Sequence, residues 1–230
     1  MLRLYDHRTG LPEPLPAGPG LRVQILDGSG HRVPVVADLL RRVAGRAGRR
    51  VRVARTASFV LDGVDLADYN VPPFELLDAP MPDADVYIAG DHIAGDEPRQ
   101  DALCLTVPRE TGSWTPTPTD ALTVRLAILE VPYRDPLELS KATLSKTAER
   151  MDGWRGKVAE WATAPGRPMN RAYTTQAETA LADDLDSPGA LAVLDRLASD
   201  SDVPPGAKLE TFIHLDLLLG LDLVSAIGSA

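Results

Sequence analysis

Apolar and polar positions alternate through Leu21-Arg22-Val23-Gln24-Ile25-Leu26, the two-residue period of a half-buried strand. The run leads into a glycine-rich turn, Asp27-Gly28-Ser29-Gly30, and there the period changes. Val36, Leu39, Leu40 and Val43 share one face of a helix spanning about 33–45, and Val51-Arg52-Val53-Ala54 supplies the next strand. Strand, glycine turn, helix and strand in that order form a βαβ unit, which implies a parallel sheet. Residues 59–83 are rich in Asp and Pro and read as loop with one short helix. Asp85-Val86-Tyr87-Ile88-Ala89-Gly90 and the run from Ala102 to Val107 are two further buried strands.

Before this unit, Leu2-Arg3-Leu4-Tyr5-Asp6 alternates as a short edge strand, and Gly10, Pro12, Pro14, Pro16 and Gly18 mark a loop-rich lead-in. Residues 108–119 are a loop. Leu122, Leu126 and Leu129 then mark a short helix. Leu144, Ala148, Met151, Trp154, Val158 and Trp161 step by 4, 3, 3, 4 and 3 along a long amphipathic helix whose stripe is core packing. A further helix ends in the acidic turn Leu181-Ala182-Asp183-Asp184-Leu185-Asp186. Helices over about 188–199 and 206–219 follow, with Asp186 or Ser187 as cap and Pro188 in the first position. The expected fold class is α/β: a reduced Rossmann-like parallel sheet domain over 1–130, followed by an α-helical bundle over 131–230.

Composition narrows the function classes. With 44% hydrophobic and 25% charged residues the chain is ordinary for a globular protein, and no apolar run reaches the ~18 residues of a membrane span. The polar opening Met1–Arg8 lacks an apolar signal core, so a cytoplasmic protein with no membrane partner is expected. A single Cys104, inside an apolar strand, excludes an internal disulfide and reads as an inert core thiol. A net charge of −9 repels nucleic acid globally. One local exception, Arg41, Arg42, Arg46, Arg49, Arg50, Arg52 and Arg55, reads as a solvated face or as an RNA or anion patch. No aromatic residues interleave it for base stacking.

Several motifs resemble the cysteinyl-tRNA synthetases and their relatives, the cysteine:glucosaminyl-inositol ligases of mycothiol synthesis. The turn Asp183-Asp184-Leu185-Asp186-Ser187-Pro188-Gly189-Ala190 resembles their "Asp-Asp-Leu-Asp-Thr-Pro-x-Ala" turn. Leu2-Arg3-Leu4-Tyr5-Asp6 resembles their "Leu-x-Leu-Tyr-Asp/Asn" opening. Asp120–Leu126 resembles the "Ser-Ala-Val-Arg" helix after their second ATP loop, and Tyr133-Arg134 is similar to their "His-Tyr-Arg" segment. The helix ending at Trp161 and the closing Leu218–Leu223 fall in register. The resemblance implies a class I synthetase-like Rossmann domain and a stem-contact helical region, from a family whose members are about twice as long and activate cysteine with ATP and zinc. A truncated, catalytically degenerate paralogue without an anticodon domain is the expectation.

The family's chemistry can be sought position by position. Where its first ATP signature, His-x-Gly-His, opens a helix, this chain has Asp27, Gly28, Ser29, Gly30 and His31, with one imidazole and an added carboxylate. Where its Lys-Met-Ser-Lys-Ser loop belongs, Arg109 is followed by Glu110, and no lysine precedes Lys141. The implied zinc set of two Cys, a His and a Glu has no counterpart; Asp91-His92 and Asp96-Glu97 read as a solvated acidic loop. No catalytic residue, metal or resident cofactor is therefore expected, and ATP binding is in doubt. Gly28, Ser29, Gly30, His31 and Arg109 remain as a candidate nucleotide or anion remnant. The leading expectation is a pseudoenzyme: a binding or regulatory protein that acts through a protein partner, a homodimer or a small ligand in the remnant cleft. The alternatives are ATP-dependent amino-acid activation or acyl or nucleotidyl transfer by altered chemistry, and RNA binding through Arg41–Arg55, with tRNA disfavoured by the overall charge.

Overall fold

The computed structural model describes residues 1–26, 30–57, 59, 65–90, 101–114 and 121–228. A two-stranded antiparallel hairpin, β1 (Arg3–Asp6) and β2 (Leu11–Pro14), opens the chain. A sheet then forms from β3 (Gly20–Ile25), β4 (Arg50–Thr56), β5 (Glu75–Leu77), β6 (Val86–Ala89) and β7 (Leu103–Thr106). Its order is β5-β4-β3-β6-β7 and every pairing is parallel. Helix α1 (Arg32–Arg46) links β3 to β4. Among the described residues, the α-helices after the sheet are α2 (Ala121–Leu129), α3 (Lys141–Trp161), α4 (Arg171–Ala182), α5 (Ser187–Ser199) and α6 (Pro205–Leu219). The fold is the expected Rossmann-like α/β unit followed by helices.

Two short strands depart from the expectation of loop. Pro12 and Pro14 alternate along β2, opposite Tyr5 and Arg3, so both missing N–H groups fall on one side of an edge strand that pairs only with β1. β5 is three residues long at the other edge of the sheet, too short to leave a period in the sequence.

The alternation in the strands sorts the two faces of the sheet. Leu21, Val23, Ile25, Val53, Val86, Ile88, Leu103 and Leu105 join a core with α1 and the later helices, and this core runs on without a break to Leu223. The other face carries a small cluster of Ala54, Met81, Ala84, Tyr87, Ala102 and Cys104. Gln24 is fully buried there; it donates to Ile25 O and accepts from Met81 N–H. Burial pushes the Cys104 thiol up to about 11, with Arg8 opposing, so the sulfur stays protonated at neutral pH.

Helix α1 is buried almost all round, including Arg32 and Asp38. A charge in such a place must be paired. Asp38, fully buried, receives Arg125 Nη2 (2.8 Å), Arg42 Nε (2.7 Å) and Arg41 Nη2 (2.6 Å), which ties α1 to α2. Arg125, equally buried, also donates to Leu219 O (2.7 Å) and Tyr69 O (3.0 Å). Gly220 closes α6 at φ +69°, and a Cβ there would stand 2.7 Å from the Arg125 guanidinium. Both the left-handed conformation and the space require glycine at that position.

Candidate functional site

In a parallel sheet of this order the crevice lies where the strand order reverses, at the carboxyl ends of β3 and β6. β3 runs through Leu26 toward Gly30 and His31, while Gly90 follows β6. Gly28 and Ser29, together with Asp27, lie outside the described residues, as do Asp91, His92, Asp96 and Glu97. Gly30 and His31 stand at the amino end of α1, facing the loop after β7.

That loop carries Glu110, which directly follows Arg109 in sequence. The Glu110 Oε1 accepts the His31 backbone N–H at 2.8 Å and lies 2.7 Å from His31 Nδ1. Burial would raise the Glu110 pKa, but the hydrogen bonds from the His31 ring and backbone hold it below the ordinary carboxylate range. The imidazole is boxed by Trp114 (5.1 Å, edge-on) and Tyr69 (5.2 Å, tilted). The side chains of His31 and Glu110 are only 11% and 9% exposed. Gly30 has φ +109°, and a Cβ there would fall 2.7 Å from Glu110 Oε2, so only glycine lets the carboxylate approach. His31 Nε2, Glu110 Oε2 and Trp114 Nε1 are buried without a hydrogen-bond partner among the described residues.

Arg32, 1% exposed, fixes the loop from below. Its Nη1 donates to Pro108 O (3.0 Å) and Asp135 O (2.7 Å), and its Nη2 to Pro132 O (3.0 Å). Thr111 N–H donates to Leu137 O, and Leu139 N–H to Thr111 O, both at 2.8 Å. Arg109 is exposed on the same loop.

The arginine cluster does not form one face. Arg41 and Arg42 turn to Asp38, and Arg42 also donates to Asn70 O and Leu217 O. Arg46 pairs with Glu178 on α4 at 3.1 Å. Arg49 donates to Gly20 O, Arg52 pairs with Glu75 at 2.5 Å, and Arg55 donates to Phe59 O beside its ring. Arg50 is exposed at the start of β4. Sequence spacing gathered these side chains, while helix and strand geometry sends them to different neighbours.

No three His, Cys, Asp or Glu side chains gather as metal ligands among the described residues. Cys104, the one thiol, is buried and protonated on the far face of the sheet, so among the described residues no thiolate is available for the soft-ligand set that the resemblance implies.

The motifs behind the resemblance converge elsewhere. Asp184 Oδ1 accepts from Tyr5 N–H (2.8 Å) and Tyr133 OH (2.7 Å), while its Oδ2 accepts from Arg134 Nε (2.8 Å). Asp184 N–H donates to Arg3 O, and Arg3 pairs with Asp183 at 2.8 Å. Only Asp186 caps, accepting Gly189 N–H at 2.9 Å with Pro188 in the first turn. Asp183 and Asp184 instead fasten the opening hairpin to the helices, with Asp184 and Leu185 held at φ +57° and +53°.

Fold and site together define a Rossmann-like α/β protein with appended helices and a carboxylate seated at the amino end of its first crossover helix. No family model matches the sequence. The chain is related to the cysteine ligases of mycothiol synthesis, themselves kin of the cysteinyl-tRNA synthetases. It is 35% identical over 104 residues to an L-cysteine:1D-myo-inositol 2-amino-2-deoxy-alpha-D-glucopyranoside ligase of Acidothermus cellulolyticus, a match covering 45% of this chain and 25% of that protein. The ligase of the same name from Streptomyces griseus is 36% identical over 108 residues, again covering 45% and 25%. That from Kytococcus sedentarius is 41% identical over 86 residues, 34% of this chain and 19% of the relative. The chain spans about a quarter of the length of the curated relatives it matches.

Proposed function

We propose that this chain is a non-catalytic binding or regulatory protein on a cysteine-ligase scaffold, acting through a protein partner or a small ligand at the β3–α1 crevice. One observation carries the reading: His31, the only imidazole of the turn, is spent on Glu110 and packed between two aromatic rings. An ATP-using site of this build needs donors aimed at developing phosphate charge, and losing one such donor typically costs about 100- to 1,000-fold in rate. Here a carboxylate stands against those donors, and no lysine precedes Lys141 to offset it. ATP–pyrophosphate exchange with each amino acid tests the reading, alongside calorimetric titration with ATP and a cysteinyl-adenylate analogue. Exchange at background and no micromolar binding of either nucleotide are expected. Exchange with cysteine above background overturns it in favour of altered enzymatic chemistry.

A further inference from the structure

We infer that the turn at Gly30 and His31 is an anion cradle that the chain fills with its own Glu110 carboxylate, and that it takes up a free oxyanion once that side chain is cut back. The inference deepens the functional reading above, resting on it only in treating the crevice as a binding rather than a reacting site.

Three features of the site support it. Two donors converge on one carboxylate oxygen, the His31 backbone N–H at 2.8 Å and the His31 ring nitrogen at 2.7 Å. The amino end of a fifteen-residue helix reinforces them, because its aligned peptide dipoles favour negative charge there. The second oxygen is pressed against Gly30, buried and without a partner among the described residues, where a Cβ would stand 2.7 Å away. A glycine at φ +109° that admits a carboxylate so closely is the arrangement by which backbone turns approach anions.

The third feature separates the carboxylate from the loop that bears it. Arg32 holds Pro108 O from α1, and Thr111 is bonded in both directions to residues 137 and 139. None of these bonds involves the Glu110 side chain. Truncation at Glu110 therefore leaves the loop in place and opens a space the size of a small carboxylate, lined by the donors that held the original one. Burial of the site shields those donors from competing water, which strengthens their hold on charge.

The test is chemical rescue. Glu110→Ala and Glu110→Gln are prepared in the full chain, and thermal unfolding is followed by circular dichroism in sodium acetate, sodium phosphate and sodium chloride at matched ionic strength. Glu110→Ala melts below the wild type, and acetate raises its Tm saturably over chloride. For a Kd of about 10 mM, 100 mM acetate weights the folded state about elevenfold, a rise of about 3–6 °C. Phosphate, being larger, acts more weakly than acetate. Glu110→Gln fills the space and gains nothing from either anion, and neither does the wild type. Glu110→Ser carries the same test if the alanine variant does not fold. A folded Glu110→Ala indifferent to both anions overturns the inference, as does an equal acetate response in the wild type. Pyrophosphate exchange by the wild type would sink the functional reading yet leave an acetate rescue standing; failure of rescue sinks the cradle alone.

Discussion

Removing the Asp38 carboxylate destabilises the fold far more than removing any surface charge. Asp38→Ala strips the counter-charge from Arg125, whose side chain has no solvent exposure and cannot rehydrate in place. Arg125 keeps its bonds to Leu219 O and Tyr69 O, so its geometry survives while its charge goes uncompensated. Breaking a buried pair in this way costs about 3–5 kcal/mol, against a total stability of about 5–15 kcal/mol for a domain. For a chain of this size that lowers Tm by about 6–20 °C. Arg46→Ala is the internal control, since its pair with Glu178 is half exposed and its loss costs at most about 1 kcal/mol. Urea unfolding of both variants, followed by tryptophan fluorescence, reads the difference. An Asp38→Ala variant within about 1 kcal/mol of the wild type would refute the reasoning, because Arg125 would then have found another way to satisfy its charge.

Other outcomes follow from the same structure. Asp184→Ala frees Tyr133 OH and the Tyr5 amide and costs about 2–4 kcal/mol by urea unfolding, whereas Tyr133→Phe costs about 1 kcal/mol. Asp184→Gly relieves the left-handed backbone at φ +57° and is about 1 kcal/mol less damaging than Asp184→Ala. Asp38 and Glu110 are both held below the usual carboxylate range, Asp38 because Arg125 and Arg42 outweigh its burial. Their contribution is thus fully present above the unfolded value of about 4 and is lost as pH falls through the folded values. Asp38→Asn accordingly shows a shallower loss of urea midpoint between pH 5 and 3, values chosen to bracket about 4. Burial raises the Asp216 pKa despite amide bonds from Leu223 and Leu221, so its own contribution grows as pH falls. Cys104 reacts with a thiol reagent no faster than the protein opens; fast labelling of the native chain would contradict its burial and its pKa near 11.

Elements whose burial is one-sided were legible in the sequence. β3 and α3 write their exposure into periods of two and of three to four residues, and the pattern located both. α1 was found from its apolar face, but that pattern carries no sign that Arg32 and Asp38 are buried as well. Arg41 and Arg42 looked like a solvated patch; their true environment depends on Asp38 one turn away and on Arg125, eighty-seven positions further along the chain. No local period can report such a partner. β2 and β5 escaped for the opposite reason: they form at edges, where two prolines and three residues suffice.

The site shows the same division between what local sequence carries and what topology supplies. Gly30 and His31 were marked by a glycine turn between strand and helix, a local signal. Glu110 was visible only as the neighbour of Arg109, although the loop after β7 lies at the same end of the parallel sheet as the carboxyl ends of the other strands. The motifs that carried the family resemblance illustrate the point most strongly. Leu2–Asp6, Tyr133-Arg134 and Asp183–Asp184 are far apart in sequence, Arg3 and Asp183 by 180 positions, yet they close on one another as a joint between hairpin and helices. A joint of this kind depends on every member at once, because Asp184 alone serves three donors from two other segments. Arg32, beside His31, reaches the same joint by donating to Pro132 O and Asp135 O on either side of Tyr133-Arg134. Asp184 thus gathers three segments that the sequence marked separately, while at the amino end of α1 a single carboxylate, Glu110, is held by one residue, His31.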